Sequence, residues 1–210
     1  MRTRNTVVLA AAAEFYEHGY EGTSLSRIAK AADMSMGAVT FHFATKGELA
    51  DAVRERGAAA TSAAVTEVSG RPAPALHRAV GLTVVLARLL EDDLAVRASA
   101  RLERENAGTV PAWSSLWQPE LRGLLAGAKD HDALRHGTDL GTVTSLAAHL
   151  LAGAEAHVRC LSAARAGTRQ GAAAQLAQIW ELVLRGISLR PKEDGRGCGT
   201  APESSAELPK

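Results

Sequence analysis

Seven histidines and twenty-three carboxylates supply material for acid–base chemistry. The pairs best spaced for it are His131 with Asp132 and His149 with Glu155. A catalyst would also need a nucleophile motif, metal-ligand spacing or a phosphate-cradling loop, and none accompanies them. Capping and solvated roles account for these groups better, so an enzyme is the weaker reading, and no metal or cofactor is expected. The groups whose order carries meaning lie in residues 23–46, TSLSRIAKAADMSMGAVTFHFATK. Thr23, Ser24, Ser35 and Thr40 bring hydroxyls, Arg27, His42 and Lys46 bring positive or proton-donating heads, and Gly37 and Ala38 bring almost no side chain. Their chemistry is non-covalent: hydrogen bonds and ion pairs to a polyanion approached closely.

Two short helices must position them. Leu25, Ile28, Ala29 and Ala32 fall at helical spacing, with Thr23 or Ser24 as the cap. The break is Asp33-Met34-Ser35, and a second helix of about two turns carries Val39 and Phe43 inward. This is a helix-turn-helix, whose second helix enters the DNA major groove. Residues 35–42, with Met36 among them, form the expected recognition helix. Gly37 and Ala38 let its backbone approach sugar-phosphate or a thymine methyl, Thr40 is the best side chain for a base edge or phosphate, and His42 is a phosphate donor. Arg2 and Arg4 suit a short basic arm or ordinary solvated surface equally well.

Composition sets the frame. With 210 residues, 46% hydrophobic and 4% aromatic, the chain buries a sizeable core through close-packed, alanine-rich helices. No apolar/polar alternation is sustained, so the fold class is all-α. The net charge is +1, and residues 1–56 balance seven basic side chains against seven acidic ones. Binding to DNA therefore depends on where the charges sit. Cys160 and Cys198 form no disulfide framework, the apolar run near the N-terminus lacks a cleavage region, and no stretch is long enough to span a bilayer. A cytoplasmic protein without membrane partners is expected.

About nine helices follow from the periodicity. Residues 4–18 are amphipathic and stop at Gly19. Thr45 and Glu48 make a capping box for a helix running to about Val68. Residues 75–90 are apolar nearly all round, which suits a buried central helix. Leu94 to Glu105 is amphipathic, and residues 106–111 end it. Residues 112–128 read as one helix bent at Pro119. Asp139 caps a long helix to about Ala164, Gly167-Thr168 breaks the chain, and a last helix of about 18 residues carries Trp180. This divides the chain into a head (1–46), a helical body (47–188) and a polar, disordered tail (189–210).

The residues Gly19-Tyr20-Glu21-Gly22-Thr23-Ser24-Leu25, Ile28-Ala29, Gly37-Ala38-Val39 and Phe41-His42-Phe43-Ala44-Thr45-Lys46 resemble the N-terminal domain of the TetR family of repressors. The resemblance implies a homodimer whose heads each read half of a palindromic operator, and a helical body that binds a small molecule and dimerises through its last two long helices. It places Lys46 where the family's lysine touches phosphate. Two positions depart from the pattern: Met36 stands for a common lysine and Thr40 for a common tyrosine, so the operator does not transfer from relatives. The run Thr40 to Lys46, Leu116-Trp117-Gln118, and Trp180 with Arg185-Gly186 further resemble the γ-butyrolactone receptors of actinomycetes. That likeness implies a lipophilic effector and puts Trp117 where those receptors carry a pocket tryptophan. Pseudo-receptors, which sense antibiotics or biosynthetic intermediates, share the pattern. Trp113 suits the pocket or plain core. Val84, Val85, Leu89, Leu146, Leu150 and Ala154 are candidate walls, and Thr83, Gln118, Thr144 and His149 are candidate polar contacts.

Overall fold

The computed structural model describes residues 2–105, 112–131, 133–164 and 170–188. The expected breaks at 106–111 and 167–168, Asp132, Cys198 and the 189–210 tail lie outside the described residues. The fold is all-α. Its helices are α1 (Arg2–His18), α2 (Leu25–Ala31), α3 (Met36–His42), α4 (Lys46–Ser69), α5 (Ala75–Asp92), α6 (Leu94–Arg104), α7 (Gln118–Asp130), α8 (Leu140–Ala164) and α9 (Ala172–Ile187).

Local chemistry starts most of them. Ser24 and Ser35 accept from the amides of Arg27 and Ala38. Thr45 accepts from Glu48, whose carboxylate returns to the Ala44 amide at 3.0 Å. Asp139 takes the Thr142 hydroxyl, the Thr142 amide and the Gly141 amide, and these donors hold its carboxyl below the ordinary range. Between α2 and α3, Asp33 adopts φ 54°, a left-handed turn that aspartate tolerates better than most residues. Residues 112–128 are not one bent helix. A 3₁₀ turn, Trp113–Leu116, precedes α7, and Pro119 stands in the first turn of α7. Proline lacks the N–H that a first-turn residue would leave unpaired, so it begins this helix instead of kinking it.

Two cores result. The first joins α1, α2 and α3 through Phe15, Ile28, Val39 and Phe43, runs past residue 46 to Leu49 and Val53 of α4, and takes Ala98 and Leu102 from α6. The second gathers α5, α7, α8 and α9 around Leu82, Leu86, Trp117 and Trp180. The largely apolar α5 packs against α4, α6, α7, α8 and α9, with His77 and Arg88 left exposed.

Helix α6 belongs to both bodies. Arg101 donates to the Tyr16 carbonyl, Arg54 of α4 donates to the Leu102 carbonyl at 3.3 Å, and the Tyr20 amide donates to Glu105 at 2.6 Å. Burial pushes the Glu105 carboxyl up, but the Tyr20 amide and Arg101, with the charge of Arg104, outweigh it and hold it below its ordinary 4.5. A lowered carboxyl stabilises the fold above its unfolded value and loses that contribution as pH falls through the folded one. Thermal melts should therefore show wild-type stability declining as the pH drops below about 4.5, with a shallower decline in Glu105→Gln. Equal slopes would mean that this contact does not tie the head to α6.

Candidate DNA interface and effector pocket

Helix α3 stands on the first core through Val39, fully buried, and its cap Phe43. Its other side is open: Met36 and Phe41 are exposed, and a Cβ at Gly37 would meet nothing within 4 Å. Ala38 is half-buried beneath that surface. The Thr40 hydroxyl donates back to the carbonyls of Met36 and Gly37, and the His42 ring lies edge-on to Phe41.

The flanking candidates are engaged within the protein. Thr23 is buried and its hydroxyl donates to the Gly19 carbonyl at 2.7 Å, so it fastens the α1–α2 turn. Ser24 remains exposed as the α2 cap. Arg27 pairs with Glu14 at 2.8 Å. Lys46 donates to the Tyr20 carbonyl at 2.9 Å and sits 4.1 Å over that residue's ring. Arg4 is not part of a loose arm: it lies in α1, with its guanidinium over the Phe43 ring.

In the body, a cavity of about 210 Å³ opens between α6, the 3₁₀ turn, α7 and α8. Trp113, Trp117 and Gln118 form one wall, Ala100, Glu103 and Arg104 a second, and Ala148, Leu151, Ala152 and Glu155 a third. The two indoles lie 5.8 Å apart between ring centroids. Trp113 donates to Thr61 of α4 at 2.9 Å, and the Thr61 hydroxyl donates to the Gly57 carbonyl. The indole N–H of Trp117 is buried and has no hydrogen-bond partner, an arrangement proteins rarely leave uncompensated. Opposite it, buried Glu155 faces Arg104, with Nη2 to Oε1 at 2.9 Å and Nη1 to Oε2 at 2.5 Å. Ser114 donates its amide and its hydroxyl to Glu103. The site is an apolar slot with one buried ion pair, and its Trp117 wall holds a buried indole N–H without a partner.

Comparison with known proteins bears on both features. Residues 7–53 match the family of bacterial regulatory proteins described as the tetR family, a span that runs from within α1 through α2 and α3 to the start of α4. The head of this chain is a tetR-type N-terminal domain. The A-factor receptor protein of Streptomyces griseus is 26% identical over 190 residues, 90% of this chain. This chain spans 64% of that relative's length. A crystal structure of a γ-butyrolactone receptor described as ArpA-like superimposes with a TM-score of 0.72 at 27% identity, over 90% of this chain and 88% of that one. The tetR-family protein CprB from Streptomyces coelicolor, in complex with its biological operator sequence, gives 0.70 at 26% identity, over 90% and 89%. These tetR-type proteins are regulators, and none is an enzyme.

In the body, the structure gathers some of the expected pocket residues and disperses others. Trp113, Trp117 and Gln118 share the cavity. His149, Leu150 and Ala154 line a separate groove between α8 and α9. Thr83 is buried with its hydroxyl on the Val80 carbonyl, and Thr144 turns its own to Leu140. Val84, Val85 and Leu89 pack half-buried on the second core, and Leu146 is half-buried on α8. The cavity residues that sequence reasoning missed are Ala100, Glu103, Arg104 and Ser114, and the α8 face Ala148, Leu151, Ala152 and Glu155. That face has i, i+3, i+4, i+7 spacing, but the alternative through Leu146, Leu150 and Ala154, at i, i+4 and i+8, is helical too. The signal available was Glu155, a carboxylate in an apolar run, which indicates a buried partner. No three His, Cys, Asp or Glu among the described residues converge on a common point. No helix among them is long and apolar enough to cross a membrane.

Proposed function

We propose that this chain is a ligand-released transcriptional repressor: a homodimer whose heads hold a palindromic DNA operator until a small lipophilic signal of γ-butyrolactone type fills the body pocket. The observation that carries this reading is the apolar cavity walled by Trp113 and Trp117. The Trp117 N–H is buried in that wall without a partner, and a turn of the indole would offer it to one carbonyl oxygen of a mostly hydrocarbon ligand. The same cavity reaches α4 through Trp113 and Thr61, and α4 begins beside the recognition helix at Lys46. An effector that prefers the pocket with α4 displaced shifts the population away from operator spacing. A coupling of about 2–3 kcal/mol, roughly a 30- to 150-fold change in operator affinity, suffices. Dimerisation through α8 and α9 is supported by Leu182, 66% exposed on α9, and by the open groove along Leu150, Ala154 and Ile179. A two-fold protein also suits a palindromic site.

One feature favours a variant of this reading. The buried Glu155–Arg104 pair gives the pocket a polar end better matched to an antibiotic or biosynthetic intermediate, as in a pseudo-receptor, than to an unbroken acyl chain. The test is a gel shift with the full chain on DNA from its own promoter region, with and without butyrolactone-type extracts. Retarded DNA freed by the extract is the expected result. A complex freed only by an antibiotic selects the pseudo-receptor. Absence of any retarded complex removes the repressor reading.

A further inference from the structure

The outward face of α3 bears no charged or amide head group. Met36, Gly37, Thr40 and Phe41 stand at i, i+1, i+4 and i+5 and so share one side of the helix, away from buried Val39. Met36 is 44% exposed and Phe41 84%, the most exposed large apolar side chain among the described residues. Between them Gly37 leaves open space. The Thr40 proton is committed to the Met36 and Gly37 carbonyls at 3.0 and 3.2 Å, so its oxygen is left as an acceptor. Of the head's cations, Arg27 and Lys46 are bound to Glu14 and to the Tyr20 carbonyl, and Arg4 lies over the Phe43 ring. One stray exposed apolar residue needs no explanation, whereas two on the working face of a seven-residue helix do.

Each base pair shows the major groove a different edge. Guanine offers two acceptors, read most often by arginine or lysine; adenine and cytosine offer amino donors; thymine alone offers a methyl group. The middle of this face supplies no donor for guanine. It supplies apolar surface, a gap at Gly37 and one acceptor. We propose that α3 reads its operator chiefly through thymine methyl groups, with Phe41 and Met36 as the apolar contacts and the Thr40 oxygen taking an adenine or cytosine amino proton beside them. This rests on the DNA-binding reading above and names what that interface recognises.

The full chain is used to enrich duplexes from a random library. Each thymine of the enriched half-site is then replaced in turn by deoxyuridine, which removes the 5-methyl group and keeps the base pair. Replacement at one or two thymines beneath α3 weakens binding about fourfold each, the loss expected for one buried methylene-sized group. Replacement outside the half-site leaves affinity unchanged. Phe41→Ala binds the thymine operator more weakly than wild type and no longer distinguishes uracil at the position it touched. Because Phe41 is largely solvent-exposed, this variant melts with the wild type, and a thermal scan separates lost contact from lost fold. Equal affinity for the thymine and uracil operators overturns the proposal, as does a Phe41→Ala protein that keeps the full uracil penalty. Failure to enrich any sequence removes the DNA-binding reading together with this one, and is distinct from enrichment without uracil sensitivity.

Discussion

Trp117→Ala is expected to abolish effector-driven release of DNA while the head still binds its operator. Trp117 is 2% exposed, packs on Trp113 and belongs to the second core, so truncation costs about 3–5 kcal/mol of stability through lost burial and the cavity left behind. The head's apolar residues lie in the other core and keep their packing. Truncation confounds pocket with fold, so the discriminating variant is Trp117→Phe. It keeps most of the ring volume and deletes the idle N–H. A neutral hydrogen bond contributes about 1 kcal/mol net, so half-release should need roughly fivefold more effector, with operator affinity unchanged. Gel-shift titrations of wild type, Trp117→Phe and Trp117→Ala, each beside a thermal melt, read both quantities. Release of the Trp117→Phe complex at the wild-type dose would show that the effector makes no use of that N–H.

What could be read in advance divides by how local its cause is. The caps at Ser24, Ser35, Thr45 and Asp139 act within three residues of themselves, so the starts of α2, α3, α4 and α8 were legible. The inward positions Val39 and Phe43 followed from a helix too short to stand alone. The register of α8 was not legible, because its sequence is apolar on more than one face and only contact with α6 and α7 shows which face borders the cavity. For the same reason Arg104 and Glu155, 51 residues apart in sequence, could not be paired beforehand. Thr23 and Lys46 illustrate a second limit. Their residue types suit phosphate, yet a fold that brings Gly19 and Tyr20 alongside them gives their polar heads partners inside the chain. Pro119 illustrates a third, since proline signals either a kink or a helix start, and only the preceding 3₁₀ turn decides between them.

Gly57→Val is expected to uncouple head from body and to lower operator affinity. A Cβ at this position would lie 2.4 Å from the Ser99 Oγ and 2.8 Å from the Ala95 carbonyl oxygen of α6, so α4 and α6 touch there almost backbone to backbone. A valine must push the two helices apart, an overpacking that costs about 1–3 kcal/mol. On the proposed function, the displacement falls between pocket and head. The Gly57 carbonyl accepts from Thr61, Thr61 accepts from the pocket's Trp113, and three turns toward the N-terminus α4 begins at Lys46. Tilting α4 changes the distance between the two recognition helices of a dimer, which successive major grooves tolerate only near about 34 Å. Operator affinity should fall at least tenfold, roughly 1.4 kcal/mol, with a lower melting temperature. Gly57→Ala with Ser99→Ala separates the contacts: it removes the nearer, hydroxyl clash but leaves the backbone one, so it should recover only part of the loss. If Gly57→Val melts and binds DNA as the wild type does, the α4–α6 contact does not set the position of the head.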